Sequence, residues 1–334
     1  MYIIGEAGSN YNGSFDQAKS LIKIAHDSGV DSCKFQMIYT DELYLTGKHY
    51  EYGNYDIDDV LSIRRSNEFP IDVWDAVFNY GKSLDLDISF SIFGEKSLSI
   101  ASEKFNSKYI KLASCDIKFL ELVEKTSIKC KENGKFIIFS TGMSSFIDIE
   151  NAFKVANKHL PKNKIVILYC VSAYPSALSD INISKIELIK KTFDCEVGFS
   201  DHTQSNYAAC AAYGAGARWF EKHFTSDKSL NGLDHKYALD YQELKDYVDT
   251  LKALDTGLSQ SSSISDKELY TANRAIRGIY ASREIKKGEI IKRTDFKVVR
   301  PKTSISPSQI SLIIGKKCNR DITKNQILEL NYFI

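Results

Sequence analysis

The sequence lacks the features that mark several large classes of protein. No apolar run approaches the ~20 residues that a membrane-spanning helix requires. The N-terminal MYIIGEAGSN has no basic segment and carries Glu6, so we expect no signal peptide. Basic and acidic residues almost cancel, 44 against 43, whereas a nucleic-acid-binding domain is expected to be strongly basic. We therefore expect neither a membrane protein nor a nucleic-acid-binding protein.

Paired cysteines and a dinucleotide-binding loop are missing as well. The seven cysteines are scattered singly, their number is odd and no CxxC occurs, which predicts free thiols in a reducing cytoplasm. No GxGxxG follows any predicted strand, so the simplest dinucleotide-binding fold is excluded. The apolar (43%) and charged (26%) fractions are typical of a globular protein, and 334 residues suit one large and one small domain.

Short β-rich runs alternate with amphipathic helical patterns over most of the chain. Eight strands are predicted, at residues 2–7, 31–37, 88–93, 109–114, 135–140, 164–170, 195–200 and 218–221. An open doubly wound sheet also alternates strands and helices, but eight regular units favour a closed α/β barrel, the (β/α)8 or TIM barrel. We predict this domain over residues 1–255.

The composition changes after the predicted barrel. Residues 256–270 begin with the Ser-rich TGLSQSSSIS and are predicted as a linker. Residues 271–334 hold 14 basic and 5 acidic residues, a net charge of +9 that leaves −8 on the rest. The segments Arg283–Phe296 and Arg320–Phe333 resemble each other, which predicts a small β-rich domain with internal pseudo-symmetry. Its basic charge favours docking on a barrel, its own or another subunit's, although a solvated basic face is the alternative.

Catalytic residues of such barrels lie at the C-terminal ends of the strands. Lys34 and Lys111 belong to strands 2 and 4, and four serines are predicted near the strand ends around them: Ser91, Ser114, Ser140 and Ser200. Two ammonium groups and several hydroxyls suit the phosphate and carboxylate of a small anion. The alternative is ordinary, since strand-end lysines are commonly solvated and serines are common in turns.

Histidines and carboxylates end the same strands. His202 and His223 follow strands 7 and 8, which are neighbours in a barrel, so their imidazoles can share one divalent metal. A lone histidine is more often structural, and it is the pair that favours a metal. Carboxylates for proton transfer, support of ligands or sugar hydroxyls are supplied by Glu6, Asp116, Asp201, Glu221 and Asp234.

A series of motifs resembles one known family. EAGSNYNGS, KFQ, IKLAS, FSTGM, CVSAYPSA, GFSDHT, EKHFT and GLDHKYAL occur in this order, as in the sialic acid synthase family with its legionaminate and pseudaminate relatives. The C-terminal IKKGEII, VVRP and IIGKK are similar to the antifreeze-like (SAF) domain of that family. The resemblance covers nearly the whole chain.

The resemblance implies a transferase that condenses phosphoenolpyruvate with an N-acetylated amino sugar aldehyde, with C–O cleavage and release of phosphate. It implies that His202 and His223 hold Mn²⁺, with Mg²⁺ or Co²⁺ as alternatives, and that Glu6 lies near the developing cation. Phosphoenolpyruvate would be held by Lys34, Ser91, Lys111, Ser114, Ser140 and Ser200. The residues expected to be catalytic are Glu6, Lys34, Lys111, His202 and His223.

The resemblance also implies a sugar site completed by a second subunit. Sugar contacts are expected from Gln36, Asp116, Ser172, Tyr174, Asp234 and Arg300. Arg300 would come from the partner's SAF domain, which implies a domain-swapped homodimer. N-acetylmannosamine and a diacetamido hexose both remain possible, because the sequence departs from the family at Cys115, Asp116 and Leu233, and segment 43–65 matches nothing assigned. Two alternatives stay open: a related phosphoenolpyruvate-dependent synthase of other sugar specificity, and an inactive sugar-binding homologue.

Overall fold

The first part of the chain is a closed barrel of eight parallel strands. The structure is a computed structural model that describes residues 1–53, 55–258 and 263–334. Each strand pairs with the next along the chain and the last pairs with the first, which confirms the predicted TIM barrel. The strands are β1 (Tyr2–Gly8), β2 (Ser32–Met37), β3 (Asp87–Ile92), β4 (Tyr109–Leu112), β5 (Phe136–Ser140), β6 (Ile165–Cys170), β7 (Glu196–Asp201) and β8 (Trp219–His223).

Helices follow the strands. They are α1 (Phe15–Ser28), α2 (Thr40–Leu43), α3 (Ile57–Ser66), α4 (Ile71–Ser83), α5 (Glu95–Glu103), α6 (Leu120–Glu132), α7 (Phe146–Asn157), α8 (Ser184–Phe193), α9 (Tyr207–Gly214) and α10 (Tyr241–Leu258). Two of them, α2 and α3, belong to an insertion between β2 and α4 that contains the unassigned segment 43–65. None of the helices in the described residues is long and apolar enough to cross a membrane.

The alternation of side chains along the strands divides the barrel core in two. Ile3, Cys33 and Phe90 belong to the large cluster that the surrounding helices also build. A separate cluster fills the barrel interior with Ile4, Tyr109, Ile138, Val166, Leu168 and Trp219. In several of these strands the side chain two residues further along is polar. The barrel interior is therefore apolar in its lower layers, towards the N-terminal strand ends, and polar at the C-terminal end.

The described residues 263–334 belong to a second compact unit, which has its own core. It contains α11 (Asp266–Ala275) and an antiparallel pair, β9 (Gly278–Ala281) and β10 (Phe296–Val299). The two similar segments, Arg283–Phe296 and Arg320–Phe333, pair with each other through equivalent residues. Ile285 and Ile322, which occupy equivalent positions, exchange two backbone hydrogen bonds of 2.9 Å. Gly288 and Asn325, also equivalent, both have positive φ, at 92° and 69°.

Residues at both ends of the predicted linker, 256–270, are helical. α10 continues to Leu258 and α11 begins at Asp266, whose N-cap Ser265 accepts a hydrogen bond from the Glu268 amide. A serine at the N-cap favours a helix start, which explains why a Ser-rich segment is partly helical. The central residues of the predicted linker, 259–262, lie outside the described residues. All seven cysteines are free.

Candidate active site

The register of the barrel places the polar strand-end residues at one level. Glu6 lies beside Lys34 on one side and His223 on the other. Ser91 lies beside Lys111 in the β3–β4 pair. Because alternate side chains face the interior, these residues meet at the C-terminal mouth of the barrel.

A cavity of about 440 Å³ opens at this mouth. It is lined by 12 of the 15 predicted site residues: Glu6, Lys34, Gln36, Ser91, Lys111, Ser114, Ser140, Ser172, Tyr174, Ser200, His202 and His223. Asp116, Asp234 and Arg300 are the three that do not line it. The strand-end pattern therefore brings most of the predicted residues into one pocket, while their chemical roles stay predictions.

The two lysines share one buried carboxylate. Glu221 Oε2 lies 3.3 Å from Lys34 Nζ and 3.8 Å from Lys111 Nζ. Lys34 also forms an ion pair with Glu6 and donates a hydrogen bond of 2.8 Å to Ser91 Oγ. All these side chains are buried, and a buried charge is tolerated only when it is paired in this way. The cavity floor is thus a compact network of two ammonium groups and two carboxylates.

Burial and neighbouring charges shift the pKa values of the two carboxyl groups, Glu6 and Glu221, in opposite directions. Burial raises the pKa of Glu6, and the opposing charge of Lys34 does not offset it. Burial also acts on Glu221, but Lys111 and Lys34 outweigh it and hold the pKa of this carboxyl well below its usual range. Burial lowers the pKa of Lys111. A pair of carboxyls with separated pKa values suits one permanent anion and one group that exchanges a proton.

The two histidines fit a divalent metal. Their ring centroids lie 5.6 Å apart. His202 Nδ1 lies 2.7 Å from the Val171 carbonyl oxygen, which accepts its proton, so the lone pair is on Nε2, and Ser200 Oγ lies 3.4 Å from this atom. Burial lowers the pKa of His202 to about 4 and also lowers that of His223, and both shifts favour the neutral imidazole that metal ligation requires. Among the described residues, buried His223 Nδ1 has no hydrogen-bond partner.

Another group of possible metal ligands lies on an exposed segment. Atoms of His49, Asp56 and Asp58 come within 4.8 Å of one another. All three side chains are exposed, and exposed acidic groups often cluster without binding an ion. We assign no metal to this group.

The three predicted residues outside the lining differ in position. Asp234 accepts a hydrogen bond of 2.5 Å from Tyr237 OH, and its Oδ2 lies 3.9 Å from His223 Nδ1, so it borders the histidine side of the mouth. Asp116 is buried beside Cys115, and this burial raises the pKa of Asp116 to about 6. Arg300 is exposed in the second unit, and its contact with a sugar stays a prediction.

The cavity also contains residues that the motifs did not single out. The insertion after β2 contributes Leu43, Tyr44, Leu45, Tyr50, Tyr52 and Arg64. The one signal in the sequence that could have assigned this insertion to the cavity is its several tyrosines, which follow directly after a strand that carries site residues. Glu221, expected only as one carboxylate among five, is the shared counter-ion of the two lysines.

The fold and the cavity define a TIM-barrel protein with an enzyme-like site at the mouth of the barrel. Residues 21–263 match the model of the NeuB family, and residues 276–331 match that of the SAF domain. The chain belongs to the NeuB family. This finding confirms the resemblance drawn from the motifs.

Curated relatives align over almost their whole length. The pseudaminic acid synthase of Campylobacter jejuni is 30% identical, over 100% of this chain and 96% of that protein. The N,N'-diacetyllegionaminic acid synthase of the same species is 31% identical, over 98% of both chains. The human N-acetylneuraminate-9-phosphate synthase is 28% identical over 95% of this chain and 88% of that protein. These relatives support an enzyme of the same synthase type.

A solved structure shows the same architecture. The N-acetylneuraminic acid synthetase of Leptospira borgpetersenii, in complex with citrate, superposes with a TM-score of 0.70 at 25% identity. The match covers 81% of this chain and 89% of that one.

Proposed function

We propose that this protein is a nonulosonic acid synthase, a transferase that condenses phosphoenolpyruvate with the open-chain aldehyde of an N-acetylated amino sugar. Carbon 3 of phosphoenolpyruvate forms a bond to the aldehyde carbon, and water adds to carbon 2. The C–O bond to phosphate then breaks, which releases inorganic phosphate and a 2-keto-3-deoxy acid. The observation that carries this proposal is the pair of buried lysines and the pair of buried histidines that line one cavity.

The lysine side of the cavity suits phosphoenolpyruvate. This substrate carries about three negative charges, and Lys34 and Lys111 offset them in a partly desolvated site where electrostatic interactions are strong. Hydroxyls of Ser91, Ser114, Ser140 and Ser200 line the cavity and are proposed to donate hydrogen bonds to its oxygens, although the Ser200 hydroxyl first has to release Glu221 Oε1, to which it donates at 2.7 Å. Ser140 Oγ is buried and has no hydrogen-bond partner among the described residues, as expected of a group reserved for a ligand.

The histidine side suits the aldehyde. A divalent metal held by His202 and His223, with Mn²⁺ proposed and Mg²⁺ or Co²⁺ as alternatives, would supply a Lewis acid for the aldehyde oxygen. The Val171 carbonyl fixes the ring of His202 so that Nε2 is presented. Glu6, whose pKa burial raises, can take a proton from the water that adds to carbon 2.

Sugar recognition is proposed at the rim of the cavity. Gln36, Ser172 and Tyr174 line the cavity, and the remaining proposed contacts are Asp116, Asp234 and Arg300. We assign the catalytic role to the barrel, residues 1–255, and the contact of Arg300 to the SAF domain, residues 271–334, of a partner subunit in a domain-swapped homodimer. The proposed location is cytoplasmic.

Subunit mixing tests the swapped arrangement. Arg300→Ala and Lys111→Ala each disable one component of the site, and both variants are expected to be nearly inactive as homodimers. Mixed and re-equilibrated, they form hybrids in which one site has both side chains, so activity should return. Activity that stays absent in hybrids of confirmed composition would contradict a site shared between subunits.

The reaction is tested by phosphate release with phosphoenolpyruvate, Mn²⁺ and a panel of acylamino sugars, followed by mass spectrometry of the product. With ¹⁸O at the bridging position of phosphoenolpyruvate, C–O cleavage leaves the label in the released phosphate. Turnover with only sugars that lack an acylamino group would favour a related synthase of other specificity. Bound phosphoenolpyruvate without turnover of any sugar would favour an inactive sugar-binding homologue.

A further inference from the structure

The insertion after β2 forms a wall of the cavity that no motif explains. Its tyrosines lie edge to face, with ring centroids 5.8 Å apart for Tyr44 and Tyr52 and 6.3 Å apart for Tyr50 and Tyr52. We call these three residues the tyrosine shelf. Leu43 and Leu45 line the cavity beside the shelf, so this part of the wall is largely apolar.

The tyrosine shelf is held by the barrel and by α3. Tyr44 and Tyr50 pack on the buried face of α3, which consists of Ile57, Val60 and Leu61. The end of α3 meets the loop after β1 so closely that a Cβ at Gly13 would lie 2.2 Å from the Ser66 carbonyl oxygen. Gly13 also has a φ of 67°, which favours glycine. The insertion is therefore a packed part of the mouth.

Arg64 presents a cation beside this apolar wall. Its Nε donates to Tyr44 OH at 3.3 Å and its Nη1 to Ser9 Oγ at 3.2 Å. Both partners are neutral hydroxyls, and in residues 1–53, 55–258 and 263–334 no carboxylate forms an ion pair with Arg64. Lys34 and Lys111, in contrast, have Glu221 as a counter-ion. A guanidinium carries five N–H groups, so three remain available for a ligand.

Depth in the cavity decides which part of a substrate reaches Arg64. The lysines of the floor and the two histidines are buried, whereas Arg64, Tyr44 and Tyr50 are half-buried at the rim. An acceptor whose aldehyde carbon lies at the histidines extends its remote carbons towards the rim. Arg64 and the tyrosine shelf therefore face a substituent far from the reacting end.

We propose that Arg64 and the tyrosine shelf bind a second acylamino group on a carbon remote from the aldehyde. The carbonyl oxygen of this group accepts hydrogen bonds from Arg64, and its acyl carbons lie on the tyrosine rings. An acylamino group combines an oxygen with an apolar end and matches a wall of the same composition. A phosphate would lie against leucine and tyrosine rings with one cation beside it, and desolvating its charge there is costly. This inference rests on the proposed function and specifies its acceptor.

Arg64→Met tests the subsite, because it keeps an unbranched apolar stem and removes every donor. The matched control is Arg65→Met, on the same helix, whose side chain is exposed and paired with Asp41 at 3.2 Å. For a diacylamino acceptor, Arg64→Met should lower kcat/KM by about 10- to 100-fold, the effect of losing a hydrogen bond to a charged group. For a sugar with one acylamino group next to the aldehyde the loss should stay below about 3-fold. Arg65→Met should change neither value.

Two further measurements, together with the comparison of acceptors, separate the possible failures. Phosphoenolpyruvate affinity, measured by calorimetry, should be the same in Arg64→Met and the wild type, and a parallel loss would assign Arg64 to phosphoenolpyruvate and overturn the subsite. A phosphorylated acceptor that is turned over best, and that Arg64→Met affects most, would overturn the acylamino assignment. Turnover of acylamino sugars with equal losses for both acceptor types would overturn the subsite alone, whereas no binding of phosphoenolpyruvate by the wild type would overturn the proposed function and the subsite with it.

Discussion

A buried ion pair behind the histidines gives the sharpest test of the energetics. Lys222 Nζ lies 3.1 Å from Asp201 Oδ2 and donates to the Thr203 carbonyl oxygen at 2.5 Å, and both charged side chains are at most 3% exposed. Asp201 and Thr203 flank His202, so this pair also anchors the loop that carries the proposed metal ligand. Lys222→Met removes the cation, keeps most of the side-chain volume and leaves a carboxylate buried without its partner.

The expected loss of barrel stability is about 3 kcal/mol. Breaking a buried pair by removing one partner costs about 3–5 kcal/mol. Asp201 Oδ1 keeps hydrogen bonds of 2.9 and 2.7 Å from the Thr203 amide and hydroxyl, which places the loss at the lower end. The matched control is Lys23→Met, which removes an exposed i,i+4 partner of Asp27 and should cost no more than about 0.5 kcal/mol.

Urea unfolding followed by tryptophan fluorescence measures this difference in the barrel alone. The chain has two tryptophans, Trp74 in α4 and Trp219 in β8, and both are in the barrel. A second variant that combines Lys222→Met with Asp201→Asn neutralises the stranded carboxylate and should recover part of the loss. A cost for Lys222→Met equal to that of Lys23→Met would refute the reasoning.

Three other predictions concern the cavity and its border. Burial raises the pKa of Asp116 from 3.8 to about 6, so between these pH values the folded state binds more protons than the unfolded state. The folded state therefore loses stability as the pH rises through that window. Asp116→Asn should remove this part of the pH dependence in urea midpoints, and an unchanged profile would contradict it. Lys111→Ala should weaken phosphoenolpyruvate binding at least ~10-fold by calorimetry, whereas the exposed Lys118→Ala should not. Chelation should abolish turnover and Mn²⁺ should restore it; full activity in chelator with no bound metal would exclude the metal role.

Much of the fold was predictable because its signals are local. Each strand has a short β-rich run, and the spacing of eight such runs fits the barrel. The helix α5 is harder to recognise from sequence because EKSLSIASE is rich in serine, a modest helix former. Polar residues at strand ends identified the cavity for a similar reason, since the C-terminal ends of parallel strands meet at one mouth.

What the sequence did not predict depends on contacts between distant segments. Tyr44 packs on α3, and the end of α3, which carries Arg64, packs on the loop after β1. These contacts fix the insertion at the mouth, and no periodicity in segment 43–65 shows them. Glu221 belongs to β8, yet its partners Lys34 and Lys111 are on β2 and β4. That contact crosses the barrel interior and becomes visible only once the barrel is closed.

The carboxylate between the two lysines has a consequence for ligand exchange. Since Glu221 keeps both ammonium groups in place, an arriving anion finds its binding positions already ordered and only rearranges existing electrostatic contacts. In the proposed reaction, the same carboxylate repels the inorganic phosphate that is released. We expect a pocket of this kind to retain its shape between turnovers and to let inorganic phosphate depart quickly, so that phosphate is a weak product inhibitor.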